Sequence, residues 1–495
     1  MATDAGNVLS NIEIVKQVGD LPATLTGINQ DSRRIQPGYV FAARKGYKTD
    51  GLKFLPQAVK RGAVLLITEN EIPIDAGIPA IQVKDYRHAL TLLSHELFGN
   101  PTRDLEIIGI TGTNGKTSST YLVRSILEAA GLKSGLIGTL GYDDGEDFGN
   151  VGMTTPDVDA LCEMFRRMID NHCTHTVMEV SSHGLRQGRV AGIRFGYAGF
   201  TNLTLDHLDF HTDMQDYADA KAELFRMVNK QGTSVINLDD DYAGYMKAES
   251  AAPVVSYSRK DDKADVYVRS LEQTVISSRF EIQLQGENII LETPLVGDYQ
   301  GDNIGLATAI ALSLGLTIEN IQLGIQNLRN VPGRLESVDR GQEFSLFVDY
   351  AHTPEALNSA LRTLRPLCRG SLTVVFGCGG DRDRQKRPMM GSRAADVADK
   401  VIITNDNPRS EDPEAISHEI IAGISGGNLL KVSVELDRRQ AIRDAIETAK
   451  PGDVIVIAGK GAEAEQLIGD QRIVFDDREV AGEILEELLN DKAYA

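Results

Sequence analysis

The chain has 495 residues, 42% hydrophobic and 25% charged, with 71 acidic against 51 basic side chains and a formal net charge of −20. That length suggests about two to four domains and excludes a single small module, while the acidic balance argues against nucleic-acid backbone or an anionic membrane as main partner. Four cysteines, Cys162, Cys173, Cys368 and Cys378, form no C-x-x-C pair, so neither a disulfide scaffold nor a zinc knuckle is expected.

Short β-branched runs alternate with helical patterns along the chain, which is the signature of α/β layers with largely parallel sheets. The first hundred residues carry strands such as Val64–Thr68 and Ala80–Val83, then a helical segment from Tyr86 to Phe98. Gly99-Asn-Pro101 breaks that pattern, because the residue before proline is pushed out of the helical region. A first boundary therefore falls near residue 102. A second unit opens with the strand Glu106–Thr111 and continues through Thr174–Val180, Ala198–Thr201 and Ser234–Leu238. Residues 264–296 alternate without helical spacing and are expected as an antiparallel edge of that unit. Helical patterns run from Asp302 to Leu328, and Val331-Pro-Gly333 marks the second boundary. The last unit holds four buried-type strands, Ser345–Asp349, Leu372–Phe376, Val401–Thr404 and Asp453–Ala458, each ending in a polar cluster. In open α/β sheets ligands bind at the carboxyl ends of strands. The expected domains are thus 1–102, 103–333 and 334–495, with no apolar run near the roughly 18–20 residues of a membrane span. The opening residues lack the basic and apolar regions of a secretory signal. A cytoplasmic monomer is expected, with no nucleic-acid partner and no membrane insertion.

The sharpest local signal is Thr111-Gly-Thr-Asn-Gly-Lys-Thr117, between a strand and a helix. Glycines let backbone N–H groups approach phosphate oxygens, the lysine brings positive charge, and the threonine hydroxyl can reach Mg²⁺. Ile110 stands where a strict Walker A loop has glycine. Thr176-Val-Met-Glu179 ends an apolar run in one carboxylate, suited to a hard cation or an ordered water. His207 lies in Asp206-His-Leu-Asp209, and Lys221 follows fourteen residues on, inside an amphipathic helical pattern. By itself that lysine is ordinary solvated surface.

The phosphate loop, Met178–Gly184, Asp206–Asp209, Tyr217–Phe225, Pro332-Gly-Arg-Leu-Glu336 and Asp349-Tyr-Ala-His352 together resemble the Mur ligase family of bacterial peptidoglycan synthesis. The match covers essentially the whole chain, with the motifs in the family's order. The resemblance implies a three-domain α/β architecture, with a central phosphate-loop ATPase domain on a parallel sheet and a C-terminal doubly wound, Rossmann-like domain. It implies an ATP- and Mg²⁺-dependent ligase that adds meso-2,6-diaminopimelate to UDP-N-acetylmuramoyl-L-alanyl-D-glutamate through an acyl-phosphate. An L-lysine-adding ligase is the alternative within the family, and a folylpolyglutamate synthetase-like ligase a more distant one.

Residue by residue, the resemblance implies that Gly112, Thr113, Asn114, Gly115, Lys116, Thr117 and Ser118 hold ATP phosphates. It implies that Thr117 and Glu179 hold one Mg²⁺, and that Lys221 is carbamylated and with His207 holds a second. Lys116, Glu179, His207 and Lys221 are then the catalytic set. Asn303, Arg334 and Asp349 resemble contacts to adenine, γ-phosphate and ribose, with His352 following in the same motif. Ser32, Tyr47, Lys48 and Thr49 resemble the uridine-diphosphate site. Thr154, Thr155, Ser181, Gln187 and Arg189 resemble the sugar-peptide site, where a guanidinium can clamp carboxylates in bidentate fashion. Asp406, Asn407, Pro408 and Arg409, with Arg387, Gly459 and Glu463, resemble the pocket for the incoming amino acid. Three positions depart from the common pattern: Ala462 where histidine is usual, Tyr299-Gln300 where Phe-Asn is frequent, and Met153 where asparagine is common.

Overall fold

The computed structural model describes residues 2–44, 49–150, 152–284 and 286–494. The chain separates into two compact units: residues up to Tyr267 together with Asp302–Gly324, and Val268–Gly301 together with the chain from Ile325 onward.

The first unit contains two large sheets and a short two-stranded one, Thr3–Asp4 with Thr24–Leu25. The large N-terminal sheet runs in the order Ile14–Val18, Ala80–Val83, Leu65–Thr68, Tyr39–Ala43, Gly27–Asn29, parallel except at its first pair. Tyr39–Ala43 and Leu65–Thr68 are buried throughout, which is why they read as unbroken apolar runs. The helix Tyr86–Leu97 packs on this sheet, opened by the Asp85 carboxylate accepting from the His88 amide.

In the central sheet Glu106–Thr111 lies between His175–Glu179 and Phe195–Phe200, all parallel. Ser134–Gly138 flanks one side, and Val228–Asn237 and Val254–Ser258 the other. Glu179 stands opposite Ile110, and Phe200 opposite Thr111. The three central strands therefore end level, and the loops opening at Gly112, Val180 and Thr201 emerge side by side. Thr201 leaves the strand pattern because its hydroxyl donates to Asn114 O at 2.6 Å. The helical run after Asp302 divides into Gln300–Ser313 and Ile318–Asn327, broken at Gly315, whose φ of +77° ends the first helix in the left-handed region.

The two large sheets share a wall. Val158 and Cys162, from the helix Val158–Asp170, pack into the N-terminal core. On the same helix, buried Asp159 accepts from the Gln30 amide at 2.9 Å and from Gln30 Nε2 at 3.0 Å. Tyr86 donates to Gln30 Oε1 at 2.9 Å, and Arg87 pairs with Asp157 at 2.8 Å.

The second unit is a doubly wound sheet in the order Glu336–Ser337, Ser345–Asp349, Val454–Ala458, Leu372–Phe376, Lys400–Ile403, Val432–Val434. All pairs are parallel except the first, with apolar cores on both faces. Asp453 stands outside its expected strand because its carboxylate closes the preceding turn, accepting from the amides of Ser371 and Lys450. Ser278–Leu284 and Glu287–Thr293 form an antiparallel hairpin, as their alternation led one to expect, and belong to this unit. Among the described residues no helix is long and apolar enough to cross a membrane.

Candidate active site

The loop 112–117 depends on its glycines. Gly112 has φ +148° and Gly115 +85°. A Cβ on Gly112 would lie 1.8 Å from Thr201 Oγ1, and one on Gly115 2.6 Å from Asn303 Oδ1. The loop is fastened to the neighbouring strand end by Thr113 N to Asn202 O at 2.8 Å and Asn114 N to Asn202 Oδ1 at 2.9 Å. Gly112→Ala should fold less stably and lose nucleotide binding together; thermal melting and ATP titration check it, and an alanine variant that binds ATP normally would contradict the tight-loop argument.

Lys116 opens the helix Lys116–Ala129, and its Nζ donates to the carbonyls of Gly112 and Thr113, both at 2.9 Å. Lys221 Nζ donates to the same Gly112 carbonyl at 2.7 Å and lies 4.4 Å from the centre of the Tyr217 ring. It is 1% exposed, so the amphipathic pattern hid a buried lysine. Burial first, then the neighbouring Lys116 charge, hold its ammonium form well below the usual lysine range.

Thr117 Oγ1 donates to Glu179 Oε1 at 2.9 Å. The Thr139 amide donates to the same oxygen at 2.9 Å, and the Thr139 hydroxyl to Oε2 at 3.1 Å. Thr139 was missed in the sequence; only its place at the end of the adjacent strand could have pointed to it. Thr139 Oγ1 also meets Thr154 Oγ1 at 3.1 Å. Ser118 is buried beside this corner, and Asn303 Oδ1 accepts from Ser119 Oγ at 3.2 Å.

His207 has φ +54° and lies edge-on to His183, with ring centres 4.9 Å apart. Burial lowers both imidazoles, His183 to about 4 with His207 and His211 contributing. His211 is buried, 3.0 Å from Ser182 Oγ and 3.3 Å from Asp216 Oδ2.

A second cluster continues from Glu179. Thr155 Oγ1 donates to Glu179 O at 3.0 Å and accepts from the Ser181 amide at 2.9 Å. Arg189 donates to Thr155 O at 2.9 Å and, through Nε and Nη2, to Gln187 Oε1. Burial lowers the Arg189 guanidinium from its usual value, and Arg87 and Arg44 act in the same direction. Thr154, Thr155, Ser181, Gln187 and Arg189 thus stand together.

In the N-terminal sheet a cavity of about 560 Å³ opens at the carboxyl edge, lined among others by Arg44, Lys84, Tyr86 and Arg87. None of these was singled out in the sequence, where each is an isolated residue. Ser32 is buried and donates to Gln57 Oε1 at 2.7 Å. Thr49 is exposed; Tyr47 and Lys48 lie outside the described residues.

The second unit carries its own clusters. Asp349 is half-buried, and its carboxylate accepts from the amides of Leu335 and Ala351 at 2.7 and 2.8 Å. Burial raises it, against the lowering effect of Arg334. The Arg334 guanidinium lies 4.9 Å from the Tyr350 ring centre, and His352 Nδ1 is 2.8 Å from Tyr350 O. Beyond the strand Lys400–Ile403, Asn407 Nδ2 donates to Glu463 Oε2 at 3.1 Å. Asn407 Oδ1 accepts from Leu467 N at 2.9 Å, and Lys460 Nζ is 3.4 Å away. The amide therefore turns its NH₂ toward Glu463. Arg409 donates to Gly380 O at 2.8 Å. Gly459 passes so close to Asp406 that a Cβ would lie 2.6 Å from Asp406 Oδ2. Pro408 O accepts from the Glu411 amide at 3.0 Å. Arg387 stands apart from these in its bonding. It is wholly buried, bidentate to Glu411 at 2.8 and 2.8 Å and bonded to Glu419 at 2.8 Å and Gly379 O at 3.1 Å. Arg387 holds Glu411 down to about 2.

Three family models match the chain: Mur ligase family, catalytic domain, over residues 24–96; Mur ligase middle domain over 110–311; and Mur ligase, glutamate ligase domain, over 333–461. A curated protein of Geobacillus thermodenitrificans is 42% identical over 469 residues, covering 94% of this chain and 95% of its own. One of Solibacter usitatus is 43% identical over 484 residues, covering 97% and 98%. Both are named UDP-N-acetylmuramoyl-L-alanyl-D-glutamate–2,6-diaminopimelate ligase. A solved structure of that name is 33% identical with a TM-score of 0.70, covering 99% of this chain and all of that one.

Proposed function

The chain belongs to the Mur ligase family, and on that premise we propose that it is an ATP-dependent amide ligase that adds meso-2,6-diaminopimelate to UDP-N-acetylmuramoyl-L-alanyl-D-glutamate. It acts in peptidoglycan precursor synthesis, in the cytoplasm. The support is near-full-length identity to proteins so named, together with a strand-end pocket in which Asn407, Glu463 and Arg409 present complementary polar groups.

The work divides along the chain. Residues 1–102 take the uridine-diphosphate end of the acceptor, 103–333 take ATP, and 334–495 take the amino acid. Arg44, Lys84 and Arg87, in a cleft that Glu13, Glu69 and Asp85 also line, are suited to the diphosphate, and Ser32, Tyr47, Lys48 and Thr49 serve the same end of the acceptor. Thr154, Thr155, Ser181, Gln187 and Arg189 take the sugar-peptide end, with Arg189 on a carboxylate. The loop from Gly112 to Ser118 cradles the triphosphate, and Lys116 turns from its loop carbonyls to the transferring phosphoryl group. Asn303, Arg334 and Asp349 hold the nucleoside and γ-phosphate ends. Asp406–Arg409, Gly459 and Glu463 line the amino-acid pocket. Arg387 serves there through Glu411 and Gly379, which engage its two terminal nitrogens, while its buried Nε has no hydrogen-bond partner among the described residues.

Thr117 and Glu179 offer a hydroxyl and a carboxylate 2.9 Å apart, a hard-oxygen set that fits Mg²⁺. His207 and a carbamylated Lys221 would hold a second ion. When bound, Mg²⁺ supplies charge neutralisation between phosphates and carboxylate. The glutamate carboxylate of the acceptor attacks the γ-phosphorus, and ADP leaves. The amine of diaminopimelate attacks the resulting acyl-phosphate carbonyl; the tetrahedral intermediate loses a proton and expels phosphate, leaving the amide.

Phosphate release decides the matter. With ATP, Mg²⁺ and the UDP-sugar dipeptide, release should require meso-diaminopimelate and match tripeptide formed one to one. Release that ignores the amino acid would defeat the ligase reading.

A further inference from the structure

Two loops that supply the amino-acid pocket leave strands that are not neighbours. Lys400–Ile403, which leads to Asp406–Arg409, and Val454–Ala458, which leads to Gly459–Glu463, are separated by Leu372–Phe376. Within the sheet, therefore, no ladder hydrogen bond joins the two strands directly. Where the middle strand ends, Gly377 lets the first loop cross: a Cβ there would lie 2.1 Å from Thr404 O and 2.9 Å from Asp406 N.

At the roots of the loops a buried arginine spans that gap. Arg438, the first residue of the helix Arg438–Glu447, is 2% exposed. Its Nη1 donates to Asn405 O at 3.1 Å and its Nη2 to Ala458 O at 3.0 Å. These carbonyls immediately precede Asp406 and Gly459. The other side of the guanidinium is bidentate to buried Asp477, both contacts 2.7 Å. A planar fork can satisfy a carboxylate and two carbonyls in one plane, and an ammonium cannot.

We infer that Arg438 is a positioning residue for the amino-acid site, fixing the roots of both pocket loops across the intervening strand. The inference rests on the reading of that pocket as the diaminopimelate site. Arg438 touches no substrate; it acts through the main chain at Asn405 and Ala458. Further out the loops are also joined, by Asn407 to Glu463, Gln466 Nε2 to Asp406 O at 2.9 Å, Leu467 N to Asn407 Oδ1 at 2.9 Å and Arg409 N to Leu467 O at 3.0 Å, but none of these reaches the strand-end carbonyls at Asn405 and Ala458.

The test is steady-state kinetics on the full-length enzyme. Arg438→Lys keeps a cation opposite Asp477 but gives up the planar bridge. Arg438→Leu/Asp477→Leu removes both charges, so neither is left buried and unpaired. In variants with a cooperative melt within a few degrees of wild type, KM for meso-diaminopimelate should rise about 10- to 100-fold, as for a displacement of about 1 Å. KM for ATP and for the UDP-sugar dipeptide should stay within about twofold. A merely structural role would reduce the active fraction, and so kcat, without singling out one substrate's KM. A native KM for diaminopimelate in either folded variant overturns the inference, as does failure of both variants to fold. If wild type does not use diaminopimelate, it is the reading of the pocket that falls.

Discussion

Replacing Lys221 by alanine should cut ligation by about 10²–10³-fold, the usual scale for removing one positioned electrostatic group. Acetate or formate should restore part of that loss. The expectation starts from an awkward juxtaposition: Lys221 and Lys116 both donate to the carbonyl of Gly112. A buried lysine is costly as a cation and nucleophilic as an amine. Addition of its Nζ lone pair to CO₂, with loss of one proton, turns it into a carbamate anion. A second cation beside Lys116 becomes an oxygen ligand of opposite sign. Alanine leaves a space near Tyr217 that a one- or two-carbon carboxylate can fill. Full activity of the alanine variant without additives would remove the case for carbamylation.

Arg409→Ala should erase the preference for meso-diaminopimelate over L-lysine, a change of about 30- to 1000-fold, or roughly 2–4 kcal/mol for truncating one partner of a desolvated charge pair. The two amino acids differ by one distal carboxylate, and a guanidinium can take it through two parallel N–H bonds. Arg409 is held for that task in a backbone conformation few arginines adopt, φ +51°. Its amide donates to Leu467 O, and its carbonyl accepts from Gly469 at 2.7 Å. Lysine leaves the guanidinium with nothing but loop carbonyls, so discrimination comes from a missing partner. Competition between the two amino acids, in wild type and variant, measures it. An unchanged ratio would detach Arg409 from specificity.

What the sequence disclosed was mostly local. The phosphate loop is a strand, two glycines with positive φ and a helix start, all within seven residues, so its chemistry could be read by spacing. Ser345–Asp349 and Leu372–Phe376 fall where their apolar runs placed them, because strands buried on both faces leave little ambiguity. What escaped depends on distant partners. Thr139 completes the cradle of Glu179 from forty residues away. Lys221 stands at helical spacing among the buried Tyr217, Ala218, Leu224 and Phe225, yet a lysine alone reads as surface, and its partner, Gly112, is 109 residues distant. Arg387 is expected at the amino-acid site; that Glu411 and Glu419 bind its terminal nitrogens was not legible, because they lie 24 and 32 residues beyond it and mean nothing until the fold is closed.

The wall shared by the two large sheets of the first unit has a thermodynamic consequence. Val158 and Cys162 complete the N-terminal core from a helix that belongs, along the chain, to the next domain, and Asp159 accepts from both the Gln30 amide and Gln30 Nε2. Separated at residue 102, one fragment would expose an unfilled apolar face and the other a carboxylate deprived of its donors. The covalent boundary is therefore not a boundary of cooperativity. Residues 1–102 and the central sheet should melt together, and a lesion in either should be felt as lost stability in both.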